Sequence, residues 1–115
     1  MLIIRPEQMR AFMAAGVRAL RADLIAHGHA CHPQAAALLG VAGLVRAVDA
    51  TIDDAICCEL DGLQAVSRLL DLALVFGPPL PATMRAVLLD PGQGSPARRL
   101  RRLWNGALFQ LEAQA

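Results

Sequence analysis

Apolar residues recur at steps of three and four along most of this chain, which is the period of a helix buried on one face. The first run carries apolar residues at Met9, Phe12, Met13, Val17, Leu20 and Leu24. Pro6 suits the first turn of that helix, because its missing N–H would have no partner there. The pattern predicts a helix over residues 6–27, with Gly28 and Pro33 marking its end and an extended segment at residues 2–4 before it.

The middle of the chain shows two further helical runs separated by a glycine. A short helix is predicted over residues 34–39 and closed by Gly40, and a longer one follows over residues 41–58. The apolar face of the longer helix comprises Leu44, Val45, Val48, Ile52 and Ile56.

The second half of the chain contains clear helix boundaries. Asp61 stands three residues before Gln64, which is a capping-box relation and predicts a helix over residues 62–76. Residues 77–81 read Gly-Pro-Pro-Leu-Pro and form a stiff, extended corner. A short helix over residues 82–89 and a flexible Gly-Gln-Gly linker come next. Ser95 and Pro96 then begin a final helix as its cap and first residue.

These elements predict an all-α protein in which residues 1–115 form one domain. The hydrophobic share is 56%, and the chain has only three Phe, one Trp and no Tyr, so helix-forming alanine and leucine dominate. Because the connections are short, neighbouring helices should pack antiparallel in a compact bundle of about four to six helices. The extended segment at residues 2–4 is too short to form a sheet alone.

Charge and cysteine content narrow the class of protein. Eleven basic residues face ten acidic ones, and the net charge of +1 gives no electrostatic reason to expect binding to nucleic acid or to an anionic membrane. The longest apolar stretch recognised, residues 69–76, is interrupted by Asp71 and is too short to span a membrane. Three cysteines without a spaced framework indicate a reduced, cytoplasmic protein.

Four residues near the end of the first helix, His27, His29, Cys31 and His32, are of the types that bind zinc. They are close together for a tetrahedral site, and a further ligand pair would have to come from Cys57 and Cys58. A helix C-terminus also favours histidine for its dipole. We therefore expect no metal or other cofactor, while a metal- or redox-responsive regulator remains an open alternative.

No catalytic constellation is recognised, and the expectation is that the chain is not an enzyme. Cys31 has histidines beside it in sequence, but adjacent residues rarely present their side chains to one another. Cys57 and Cys58 are expected to be small core residues.

Asp49 and Asp53 share a helix face with Asp54 next to them, and we expect a solvated face or an ion pair with Arg46, or else an acidic docking edge. Arg98, Arg99, Arg101 and Arg102 are interpreted as a solvated face in preference to a partner site for acidic surface.

Several segments, in order along the chain, resemble a family of small helical proteins encoded in proteobacterial type VI secretion islands, beside spike proteins, PAAR-type tips and adaptor chaperones. They are IRPEQMRAF at 4–12, Ala-His at 26–27 leading to Pro33, LALVFGP at 72–78, AVLLDP at 86–91, SPAR at 95–98 and Arg-Leu at 102–103. The resemblance implies a secretion accessory role without catalytic residues.

The function expected from this resemblance is that of a non-enzymatic adaptor or chaperone-like protein, which binds an effector, adaptor or spike component in the cytoplasm. The expected partner-binding residues are Leu2, Ile3, Ile4, Pro78, Pro79 and Leu80. The alternative is an immunity protein that covers a toxin's basic cleft with Asp49, Asp53, Asp54 and Glu59. The alanine-rich surface also permits a homodimer.

Overall fold

Five α-helices form nearly the whole of the part of the chain that the structure describes. This computed structural model describes the backbone of residues 6–114 and the side chains of residues 16–113. The helices are α1 (Pro6–Cys31), α2 (Pro33–Cys57), α3 (Leu63–Phe76), α4 (Ala82–Leu89) and α5 (Pro96–Gln114), with one 3₁₀ turn at Pro91–Gln93. No strand occurs within residues 6–114, and the all-α prediction is confirmed. Residues 2–4 lie outside the described residues.

Helix α3 lies at the centre of the fold and contacts α1, α2 and α5. Its buried residues are Val66, Leu69, Leu70, Leu72, Ala73 and Leu74. The largest fully buried side chains of the described chain are Leu24, Leu44, Val48, Leu69, Leu70 and Leu88. The apolar faces predicted from the sequence therefore supply most of the core, although Ile56 is 64% exposed.

The connection between α1 and α2 is tighter than predicted. Helix α1 continues to Cys31, so His32 is the single residue between the two helices. Gly28 does not end α1. It is buried inside the helix, where an added Cβ would lie 3.1 Å from Cδ1 of Leu44. The glycine thus allows α1 and α2 to approach closely at this point.

The predicted break at Gly40 is present as an irregularity within α2. Gly40 has φ 73° and ψ 173°, a left-handed φ that glycine adopts readily, and helical geometry resumes after it. The two predicted helices are therefore joined end to end.

The predicted boundaries of the later helices are only partly right. Gly62 is the N-cap of α3, no side chain caps that helix, and Asp61 is exposed, so the capping box predicted there is wrong. At α5 the prediction is confirmed, since Oγ of Ser95 accepts a hydrogen bond from the backbone N–H of Arg98 at 3.2 Å.

Arg99 is not part of a solvated face. Its guanidinium donates to the carbonyl of Leu88 at 2.6 Å and to the carbonyl of Gly94 at 2.9 Å. It thereby satisfies a carbonyl at the end of α4 that has no partner within the helix. The neighbouring linker, predicted to be flexible, is a 3₁₀ turn in which Oδ1 of Asp90 accepts from the N–H of Gly92 at 2.9 Å.

Helix α2 is long and apolar enough to cross a membrane by length and composition, with a mean hydropathy of 1.7 over its most apolar window. The prediction that residues 69–76 form the longest apolar stretch is therefore wrong. In the folded chain α2 supplies Leu44, Val48 and Ile52 to the core. The core helix of a soluble protein meets the same criterion, so a single such helix is weak evidence for a membrane span.

The corner at residues 77–81 corrects one partner-binding expectation. Leu80 is 6% exposed and belongs to the hydrophobic core, so its side chain is not accessible to a partner. Pro78 and Pro79 are exposed and line a shallow groove with Leu38 and Leu39 of α2.

The same corner predicts the effect of one substitution. A Cβ at Gly77 would overlap the carbonyl oxygen of Pro79, which is a backbone atom that cannot move aside alone. We expect Gly77→Ala to lower the free energy of unfolding by about 2 kcal/mol or more, measured by urea denaturation followed by circular dichroism. Gly106→Ala is the matched control: no atom lies within 4 Å of an added Cβ there, and it should stabilise α5 by roughly 0.5–1 kcal/mol. Equal effects of the two substitutions would contradict the overlap.

Candidate functional site

Three side chains from separate parts of the sequence meet at the α1–α2 corner, and we call them the histidine–aspartate cluster: His27, His32 and Asp71. Nε2 of His27 and Nε2 of His32 each lie 2.7 Å from the same atom, Oδ1 of Asp71. The side chains are 26%, 19% and 19% exposed respectively. The cluster therefore lies partly shielded at the surface of the bundle.

Each residue of the cluster is placed by a different element. His27 lies one helical turn before the end of α1, and His32 is the N-cap of α2, where it makes no capping hydrogen bond with its side chain. Asp71 lies in the middle of α3 between the buried residues Leu70 and Leu72. The tight α1–α2 connection thus brings both imidazoles to one carboxylate on the central helix.

The hydrogen bonding within the cluster follows from the chemistry of its groups. A carboxylate can only accept, so both Nε2 atoms carry the hydrogens that they donate to Oδ1 of Asp71. The oxygen has two lone pairs and can accept both. The two rings stand edge to face, with centroids 6.2 Å apart. Each of the three residues offers one potential metal-ligand atom, and these three atoms lie within 4.8 Å of one another.

Cys31 extends the cluster at its exposed side. Its Sγ lies 3.7 Å from Nδ1 of His27, because residues four apart share a helix face. The contact is with a histidine one helical turn away and not with the adjacent His32, and the sequence analysis did not predict it. Thiol, imidazole and carboxylate follow one another in the order used by cysteine nucleophiles. However, His32 binds the same carboxylate oxygen, and two imidazoles converging on one carboxylate are the donor set of a metal site.

An apolar cleft of about 260 Å³ opens beside the cluster, between the end of α1, α3 and α5. His32 and Asp71 line it together with Cys31, Leu72, Val75, Phe76, Trp104, Ala107, Leu108 and Leu111. Val75, Leu108 and Leu111 are 49%, 45% and 42% exposed. The two polar members of the cluster thus lie beside an otherwise apolar surface that is open to solvent.

The remaining predicted metal ligands are not in the cluster. His29 is exposed, and neither Cys57 nor Cys58 belongs to the described group of ligands within mutual reach. Cys57 is exposed, whereas Cys58 is buried as expected. Burial raises the pKa of the Cys58 thiol, and the neighbouring Asp54 and Cys57 raise it further.

The acidic residues of α2 are largely engaged within the fold. Both carboxylate oxygens of Asp49 accept from the guanidinium of Arg21, at 2.8 and 3.0 Å, so Asp49 pairs with α1 and not with Arg46, which was one of the alternatives expected. Asp54 pairs with Arg85 of α4 at 3.0 Å. Asp53 is exposed. The predicted acidic docking edge is therefore mostly neutralised.

Asp71 was missed as a functional residue by sequence reasoning, which treated it only as an interruption of an apolar run. The available signal was that Asp71 lies on a predicted helix between two apolar residues, Leu70 and Leu72. Such a group needs a partner if it is to be partly buried. The sequence alone did not reveal that the partners were His27 and His32, since they lie 44 and 39 residues away.

Comparison of the chain with protein-family models, with curated proteins and with solved structures finds no match.

Removing the carboxylate at the centre of the cluster should destabilise the protein. Asp71→Ala leaves two partly buried imidazole N–H groups without their acceptor, and we expect a loss of roughly 1–3 kcal/mol in the free energy of unfolding. Asp53→Ala removes an exposed carboxylate from α2 and should change it by less than about 0.5 kcal/mol. Urea denaturation of both variants measures the difference, and a loss no larger for Asp71→Ala than for Asp53→Ala would contradict it.

The three cysteines should differ in reactivity. Alkylation with iodoacetamide, followed by peptide mass spectrometry, should modify exposed Cys31 and Cys57 first and Cys58 last. Burial restricts access to Cys58, and its raised pKa leaves less thiolate at a given pH. In denaturant the three rates should converge. If Cys58 of the folded protein were alkylated as fast as Cys57, the C-terminal end of α2 would be accessible to the reagent, which would contradict the burial of Cys58.

Proposed function

We propose that this chain is a non-enzymatic binding protein whose apolar cleft holds an amphipathic helix of a partner protein. The observation that carries the proposal is the exposed apolar lining formed by Val75, Leu108 and Leu111, which are each more than 40% exposed. A partner that covers these side chains removes apolar surface from water, which is the main driving force of protein association.

The lining of the cleft suits apolar side chains of a protein segment. Its volume of about 260 Å³ is close to the lower end of the roughly 300–1,000 Å³ of typical small-molecule sites. It has room for one or two large apolar side chains. An amphipathic helix presents such side chains three, four and seven residues apart, and this is a common mode of recognition in grooves.

Positively charged side chains beside the cleft indicate that the partner helix carries acidic residues. Arg101 precedes Leu108 by two helical turns on the same face of α5, and it is exposed. Arg68 of α3 is also exposed, and its guanidinium lies 5.9 Å from the ring centroid of Trp104, which lines the cleft. A helix with apolar anchors in the cleft and acidic residues about two turns away would complement both features.

The motif resemblance suggests the origin of the partner. Accessory proteins of type VI secretion islands act beside effectors, adaptors and spike components, so the bound helix would belong to one of these proteins before export from the cytoplasm.

The immunity-protein alternative receives less support. It relied on four acidic residues of the α2 region, and two of them, Asp49 and Asp54, are paired with arginines of the same chain. Asp53 and Glu59 remain as exposed carboxylates, which is little charge with which to cover a basic cleft.

Co-purification with the products of the neighbouring genes tests the proposal. The tagged chain should form a stoichiometric complex with an effector, adaptor or spike component, sized by light scattering. Leu108→Arg places a charge in the apolar cleft and should weaken that complex by about tenfold or more, which corresponds to roughly 1.4 kcal/mol. The matched control is Val41→Arg, at a residue that is 78% exposed and does not line the cleft, and it should bind normally.

The outcomes separate the parts of this proposal. A complex lost equally in both variants, or in neither, would place the partner elsewhere on the surface. Recovery of none of these components would remove the secretion role. Relief of an effector's toxicity on co-expression would favour the immunity alternative.

A further inference from the structure

We infer that the histidine–aspartate cluster is a binding site for one divalent transition-metal ion of the zinc class. The ligands would be Nε2 of His27, Nε2 of His32 and Oδ1 of Asp71. The inference is independent of the proposed partner, because metal binding is a property of the isolated chain. A metal at this site differs from the expectation, drawn from the sequence, that the chain holds none.

The separations within the cluster are close to those that a metal requires. Zinc bonds of about 2.0–2.1 Å in a tetrahedral arrangement place ligand atoms about 3.3 Å apart. The two nitrogen–oxygen distances are 2.7 Å, and no pair of the three atoms exceeds 4.8 Å. To bind an ion, each ring carries its hydrogen on Nδ1 instead of Nε2, so that Nε2 offers its lone pair, and each nitrogen–oxygen contact lengthens by only about 0.6 Å. Side-chain rotations can supply this movement.

The types of ligand select the class of ion. Two imidazoles and one carboxylate suit zinc and its neighbours among the transition metals, whereas calcium and magnesium prefer ligands that are all oxygen. Three protein ligands leave one tetrahedral position for water or another donor. His32 and Asp71 both line the apolar cleft, so this position can be reached from it.

The surroundings of the cluster orient the ligands. Sγ of Cys31 lies 3.7 Å from Nδ1 of His27, the ring nitrogen that is not a proposed ligand. A partner on this second nitrogen holds the ring so that Nε2 faces the metal, as is usual for histidine ligands. His32 is fixed by its place between two helices, and Asp71 by its place on the central helix. The cluster is thus built on rigid elements from three directions.

Zinc titration of the full chain, after treatment with a chelator, tests this inference by calorimetry. We expect one Zn²⁺ per chain. His32→Ala should weaken binding by about 100-fold or more, since loss of an outer-shell partner alone costs roughly 10- to 100-fold. Asp71→Asn is the second variant, because an amide oxygen can still accept a hydrogen bond and so preserve the fold. His29→Ala, which removes the exposed histidine outside the cluster, is the matched control and should bind as the natural chain does.

Cobalt substitution gives a second readout that distinguishes this site from cysteine ligation. The Co²⁺-loaded chain should show the visible absorption of a four-coordinate site without a thiolate charge-transfer band, and Cys57→Ser should leave its spectrum unchanged. The inference is overturned if no ion binds with a stoichiometry of one. It is equally overturned if His29→Ala weakens binding as much as His32→Ala, or if folded Asp71→Asn binds zinc unchanged. In those cases the cluster is a hydrogen-bonded link between helices, and the partner-binding proposal is unaffected.

Discussion

The burial of helix α3 is the constraint on which the rest of the structure depends. Six of its 14 residues are buried, and they include fully enclosed Leu70. A single neighbouring helix cannot cover so wide an apolar surface, so α1, α2 and α5 all pack against it. The cleft lies where α1 and α5 leave part of α3 uncovered, at Val75 and Phe76. The candidate binding surface is therefore a part of the hydrophobic core that the neighbouring helices leave exposed to solvent.

Polar contacts join the helices to one another, both at their ends and along their length. Asp71 links α3 to both residues of the α1–α2 corner, and Arg21 of α1 pairs with Asp49 of α2. Arg99 joins the end of α4 to the start of α5 through the carbonyl of Leu88. Such contacts contribute modest free energy individually, but they fix direction and register, which the non-directional hydrophobic effect does not.

Local signals in the sequence predicted some helix boundaries correctly, although Asp61 does not cap α3 and Gly28 does not end α1. Residues 82–89 form α4 as predicted, Gly40 interrupts α2, and Ser95 caps α5, because these features depend on neighbours within one or two turns. The pairings across the fold were not predictable in this way. The pair between Asp49 and Arg21 and the contacts of Asp71 were not predicted, since the deciding partners lie 28 to 44 residues away. Identifying them requires the packing of α1 and α2 on α3.

The single residue between α1 and α2 has a mechanical consequence. His32 is at once the joint between two long helices and a side chain of the cluster. Helix α1 has 26 residues, so it is about 39 Å long at a rise of 1.5 Å per residue. A rotation of about 5° at its attached end would displace its far end by about 3 Å, from that length alone. A reorientation of α1 about His32 would therefore be largest at the helix end farthest from the histidine–aspartate cluster.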